Sequence, residues 1–123
     1  MVDFYDGSIL YDFINGELYI CDIDFFRKAP IVNDIGEKFW GSSRYKAPEE
    51  YQLNAEITSA TNVYTLAVLA FAFIGGRSDK SFEKWEASKK LYNICTKALE
   101  NNPSERFKTI STFYHQWNKS IYS

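Results

Sequence analysis

One run near the middle of the chain limits the fold more than any other: Asn62-Val63-Tyr64-Thr65-Leu66-Ala67-Val68-Leu69-Ala70-Phe71-Ala72-Phe73-Ile74, followed by Gly75-Gly76. It is apolar on nearly every face, and a helix with no wet side has to sit inside the molecule. A strand is the competing reading, but the length and the alanines favour a central, buried helix. Thr58 or Ser59 is placed to cap its start, and the glycine pair to end it. The run is too short to cross roughly 30 Å of hydrocarbon, so no membrane partner is expected.

Around that helix the pattern changes twice. Ser8-Ile9-Leu10-Tyr11-Asp12-Phe13 and Glu17-Leu18-Tyr19-Ile20-Cys21-Asp22 are short β-prone runs. Asn15-Gly16 between them predicts a hairpin, because both residues tolerate positive φ. Residues 25–57 are irregular, punctuated by Pro30, Gly36, Gly41 and Pro48; a loop of that length in a compact chain is usually functional or disordered. Further on, Phe82, Trp85, Leu91, Tyr92, Cys95, Ala98 and Leu99 predict an amphipathic helix, stopped by Asn101-Asn102-Pro103. Phe107, Ile110, Phe113, Tyr114, Trp117 and Ile121 predict a last helix with one wet face. The fold class read here is mainly α with a small N-terminal β-hairpin, in one unit over residues 1–123.

Composition narrows the functional classes. The 123 residues are 46% hydrophobic and 18% aromatic, enough for a core and unlike a disordered chain. A net charge of −2 with no basic run argues against a phosphate backbone as partner, so no nucleic acid is expected. Cys21 and Cys95 show no metal-ligand spacing and read as buried thiols, and His115 stands alone. No basic segment followed by an apolar stretch opens the chain, so it reads as cytoplasmic.

Several separated motifs then fall in a recognisable order. Asp3-Phe4-Tyr5-Asp6-Gly7-Ser8, followed by a strand, resembles the catalytic loop of protein kinases. Asp22-Ile23-Asp24 lies where their Asp-Phe-Gly is expected, with Asp24-Phe25 as a rival frame. Gly41-Ser42-Ser43-Arg44-Tyr45-Lys46-Ala47-Pro48-Glu49 resembles the stretch that ends the activation segment. Asn62-Val63-Tyr64-Thr65-Leu66 resembles the opening of the central helix, and Asn102-Pro103-Ser104-Glu105-Arg106 the loop before the last one. These motifs span nearly the whole chain and resemble bacterial serine/threonine protein kinases, with Ser42 in the position that favours serine/threonine substrates.

The resemblance implies a kinase-like C-terminal lobe that transfers the γ-phosphate of ATP to a protein hydroxyl. Phosphoryl transfer needs Mg²⁺ to neutralise the phosphates and a carboxylate to align the attacking hydroxyl. By this likeness Asp3 is the catalytic carboxylate, and Asp22 and Ser8 are the Mg²⁺ and cofactor ligands. Glu49 and Arg106 are expected to form a buried ion pair. Several positions depart from the pattern: Tyr5 replaces a lysine, Ser8 an asparagine, Asn62 an aspartate and Asp24 a glycine. No glycine-rich nucleotide loop, strand lysine or partner glutamate occurs in the sequence. The nucleotide-binding lobe is therefore an expected partner, and the isolated chain is expected to be inactive and to bind ATP and Mg poorly. Between Phe25 and Gly41 there is no Ser, Thr or Tyr, and Val2 precedes Asp3, so activation by phosphorylation of that segment is not expected. The alternatives are a pseudokinase or interaction module, and a small-molecule phosphotransferase, against which the Ala-Pro-Glu stretch argues. The bare faces of the central helix further predict a homodimer of the chain.

Overall fold

The computed structural model describes residues 4–21, 26–28 and 30–122. Its centre is helix α1, Ser59–Ile74. The helix begins ahead of the apolar run because two threonines cap it reciprocally. The Thr58 hydroxyl accepts from Ala60 N–H at 3.2 Å, and the Thr61 hydroxyl accepts from Thr58 N–H at 3.1 Å. At the other end Gly75 N–H reaches Phe71 O at 3.1 Å. The left-handed residue of this turn is Arg77 (φ 59°), not a glycine. Gly76 is required for a different reason: a Cβ there would lie 2.6 Å from the carbonyl oxygen of Asp79.

Two cores form on opposite sides of α1, as a helix without a polar face requires. Val63, Ala67 and Phe71 pack against helix α2 (Lys89–Ala98), through Leu91, Cys95 and Ala98, and against Phe113 of helix α3 (Ile110–Ile121). Val68 and Leu69 point the other way, onto Phe4 and Tyr45. Both amphipathic helices are shorter than their apolar pattern. Phe82 and Trp85 lie ahead of α2, in and after the 3₁₀ turn Phe82–Lys84, because the Ser88 hydroxyl accepts from Leu91 N–H and fixes the start after them. Trp85 still reaches the core, its ring 4.8 Å from that of Phe71 and its Nε1–H on Ser88 O at 3.0 Å. Phe107 likewise precedes α3, which Thr109 caps through Thr112 N–H at 3.1 Å.

The N-terminal hairpin pairs β1 (Ile9–Asp12) with β2 (Glu17–Ile20), Ile9 opposite Ile20 and Asp12 opposite Glu17. Its turn is longer than the Asn-Gly signal predicts. Residues 13–16 form a four-residue loop in which Gly16 alone takes positive φ, at 68°. The Asp12 carboxylate explains this: it accepts from Ile14 N–H, Asn15 N–H and Asn15 Nδ2–H at 2.9, 3.2 and 2.8 Å. The long irregular stretch also gains order, through a two-residue pairing of β3 (Ile31–Val32) with β4 (Glu56–Ile57). Fully buried Asn33 knits it further, donating to Gly36 O and accepting from Ile35 and Gly36 N–H.

The architecture is thus mainly α with a small N-terminal hairpin and one further two-stranded pairing. Among the described residues, no helix is long and apolar enough to cross a membrane. Cys95 is fully buried, and burial pushes its thiol up to about 12, so it is chemically inert. Cys21 is only half-buried, unlike the sequence expectation, because it follows directly on β2, whose residues are open to solvent.

The placement of α1 has a direct test. Phe71 is fully buried between α2 and Trp85, whereas Phe73, two residues on, is exposed. Phe71→Ala should cost about 3–5 kcal/mol in denaturant unfolding. Tyr122→Ala, at a residue 85% exposed, should stay within about 0.5 kcal/mol of wild type, as surface changes do.

Candidate functional site

Of the residues singled out in the sequence, Glu49 and Arg106 meet beside the first turn of α1. Arg106 and Glu49, 57 positions apart, form a buried two-pronged ion pair, with side chains 0% and 6% exposed. Nη1–H donates to Glu49 Oε2 at 2.8 Å and Nη2–H to Oε1 at 2.9 Å. The guanidinium also donates to the carbonyl oxygens of Glu100, Ala60 and Asn101, at 2.7, 3.1 and 3.2 Å. A guanidinium has five N–H groups, and five such bonds are made. Glu49 Oε2 also accepts from the Thr61 hydroxyl at 2.7 Å, which ties the pair into the α1 cap. Burial pushes the Glu49 carboxyl up, but the bonds from Arg106 and Thr61 outweigh it and hold the group below the ordinary carboxylate range.

The residues just before Glu49 are held by equally internal contacts. Ser42 O accepts from Tyr45 and Lys46 N–H, so the segment turns there. Buried Lys46 donates Nζ–H to Phe39 O at 2.7 Å and Glu37 O at 3.1 Å, with its ammonium 4.2 Å from the centre of the Tyr51 ring. Thr65 of α1 donates to Tyr45 O at 3.3 Å. The Tyr45 hydroxyl is raised by burial and then by the charge of Asp6. Asp6 therefore links the turn before the hairpin to this segment, and it also lies 3.9 Å from Arg77. Most of these residues lie in the quoted motifs, but the motifs do not give their partners; only the fold brings them together.

A cleft of about 280 Å³ opens beside that junction, lined by Arg44, Tyr45, Val68, Ala72, Arg77, Ser78 and Lys80. Its three cations come from the turn before Glu49 and from the loop after α1. Such a surface suits an anionic group better than a neutral one.

The predicted site residues divide unevenly. Asp3 and Asp22 lie outside the described residues, as do Asp24 and Phe25 of the rival frame. Ser8 is described and is fully buried. Its hydroxyl accepts from Tyr5 N–H at 3.4 Å within the turn Asp6–Ser8, and its carbonyl accepts from Cys21 N–H at 2.8 Å. As placed, Ser8 serves the turn rather than presenting a ligand to solvent. Tyr5 packs at the edge of the Phe4–Tyr45–Leu69 core. No group of three or more His, Cys, Asp or Glu suited to a metal occurs among the described residues. No protein-family profile matches the chain, and none of the curated proteins matches it.

Glu50 is the site's most perturbed carboxyl. Burial pushes it up to about 7, and the neighbouring Glu49 charge adds to this; Ala47 N–H, bonded to Oε1 at 3.0 Å, and the nearby Lys46 charge oppose it. A carboxyl raised in the folded state from 4.5 to about 7 contributes stability below its unfolded pKa and loses it as pH rises through the folded one. Wild-type stability should therefore fall between about pH 4.5 and 7. Glu50→Gln keeps the acceptor for Ala47 N–H but cannot ionise, so its melting temperature should lack that fall. Parallel thermal melts across pH 4.5–8 check this: the two curves should separate in favour of the variant as pH rises.

Proposed function

We propose that this chain is the C-terminal lobe of a serine/threonine protein kinase-like protein, which transfers the γ-phosphate of ATP to a protein hydroxyl when joined to its nucleotide-binding lobe. The observation that carries this reading is the Glu49–Arg106 clamp. The sequence likeness expects that pair from two motifs 57 residues apart, and the side chains meet through two short bonds in a buried setting. The central helix, apolar all round and packed on both sides, supports the same reading. In it, Asp3 aligns the attacking hydroxyl and Asp22 provides the carboxylate that would hold Mg²⁺, which would neutralise phosphate charge. The cationic cleft at Arg44, Arg77 and Lys80 would give an acidic stretch of a protein substrate a place to lie.

A second reading has its own support. The buried, internally bonded Ser8 and the core-packed Tyr5 stand where phosphate-handling side chains would be expected. They favour a kinase-like module that binds partners without transferring phosphate.

Both readings are tested together on the complete gene product, by titration with ATP in the presence and absence of Mg²⁺ and by phosphate transfer to protein. The enzyme reading expects Asp22→Ala to lose Mg²⁺-dependent nucleotide binding, and Asp3→Ala to lower turnover while binding persists. Wild-type turnover in both variants would defeat the assignment of Asp3 and Asp22. Absent turnover in the wild type, with the fold intact, would favour the binding module.

A further inference from the structure

Two apolar features of this molecule complement one another. One is concave: a groove of about 520 Å³ between α1, α3 and the root of the hairpin, lined by Ile9, Leu66, Phe73, Ile110, Tyr114 and Trp117 among others. Its size is that of a ligand site, roughly 300–1,000 Å³, yet its lining holds few polar groups with which to orient a small polar molecule. The other feature is convex. At the hairpin tip Phe13 is 88% and Ile14 is 94% exposed, in a turn where polar residues are usual. Asp12 fixes the backbone of that turn, and the Tyr11 ring props Phe13 edge-on at 4.8 Å. The tip is thus a shaped apolar knob rather than a loose loop.

We propose that a second copy of this chain fills the groove, each hairpin tip seating in the other copy's groove about a two-fold axis. The chain's own geometry favours this occupant. Ile9 belongs both to the root of the hairpin and to the groove, so the groove begins where the arm begins. The tip lies one strand length away, about 13 Å for four residues. Two such arms laid antiparallel bring each tip to the root of the other, and a contact of this kind closes on itself as a pair. The areas agree as well. A seated Phe and Ile cover on the order of 300 Å² on the knob and a similar area on the groove. Two reciprocal contacts bury about 1,200 Å², the lower end of what stable interfaces need. The hairpin is also a lone two-stranded sheet, marginal by itself, and an antiparallel neighbour would support it.

The test is the mass of the full chain in solution, by light scattering and sedimentation over a concentration series, for wild type, Ile14→Asp and Phe73→Asp. Wild type should be a dimer at micromolar concentrations. Each variant should be a monomer with wild-type circular dichroism, because losing a central apolar anchor weakens a contact by about 30-fold and each change enters the dimer twice. Mixing the two variants should restore a weak heterodimer, since one knob and one groove in that pair remain intact. An Ile14→Asp dimer as tight as wild type would overturn the proposal and indicate grooves stacked face to face. A wild-type monomer at high micromolar concentration would also overturn it. If the Trp117 fluorescence of that monomer responded to an added amphipathic helical peptide, the groove would belong to a helix instead.

Discussion

Among the described residues, the Arg106 guanidinium joins more segments than any other side chain. It is bonded to the carboxylate that ends the Ala47-Pro48-Glu49 stretch, to the first turn of α1 through Ala60, and to the loop after α2 through Glu100 and Asn101. It also lies over the Tyr64 ring at 4.8 Å. A buried ion pair is weak evidence of net stability, since removing both charges from water is costly. Here that cost is offset by use of every donor on the guanidinium and by the Thr61 hydroxyl on the carboxylate. Among the described residues no buried side-chain nitrogen or oxygen is left without a partner. Such a network specifies one arrangement, because a displaced arginine would strand several polar groups at once.

The irregular stretch depends on this fixed point. Among its described residues it has little regular structure: the two-residue strands β3 and β4, the turn Gly36–Lys38 and the turn Pro48–Tyr51. Its order comes from polar anchors instead, namely Asn33 within the loop, Lys46 on backbone carbonyls and Glu49 on Arg106. This explains why a segment with so few regular elements holds a defined path against α1. It also explains the opposite behaviour of adjacent carboxyls. Glu49 meets two strong donors and is held ionised, whereas Glu50 meets one backbone N–H and is raised by burial.

Much of the helical framework is legible in the sequence, and the misses have physical causes. The central helix and its burial follow from a run without a wet face, and the Glu49–Arg106 pair from the order of motifs around it. The starts of α2 and α3 are misplaced when apolar spacing alone is read, since Phe82, Trp85 and Phe107 belong to links and not to helices, Trp85 and Phe107 as core residues and Phe82 as an exposed one. Ser88 and Thr109, hydroxyl residues just ahead of each periodic run, are the signals that correct this. The hairpin turn differs from the Asn-Gly expectation because the Asp12 carboxylate captures neighbouring backbone N–H groups. Asp6, Lys46 and Thr65 fall inside the quoted motifs, yet nothing in the sequence gives them or Glu50 these partners; their roles arise from contacts that only the fold creates.

If the clamp organises the fold in this way, Glu49 and Arg106 should behave as one unit. A double-mutant cycle of Glu49→Ala, Arg106→Ala and the pair, followed by denaturant unfolding, measures this directly. Each single change should cost about 3–5 kcal/mol, because the partner is left buried and uncompensated. The double variant should cost little more than either single change, which gives a coupling energy of several kcal/mol. Single losses below about 1 kcal/mol that simply add would match an exposed surface pair and contradict the account.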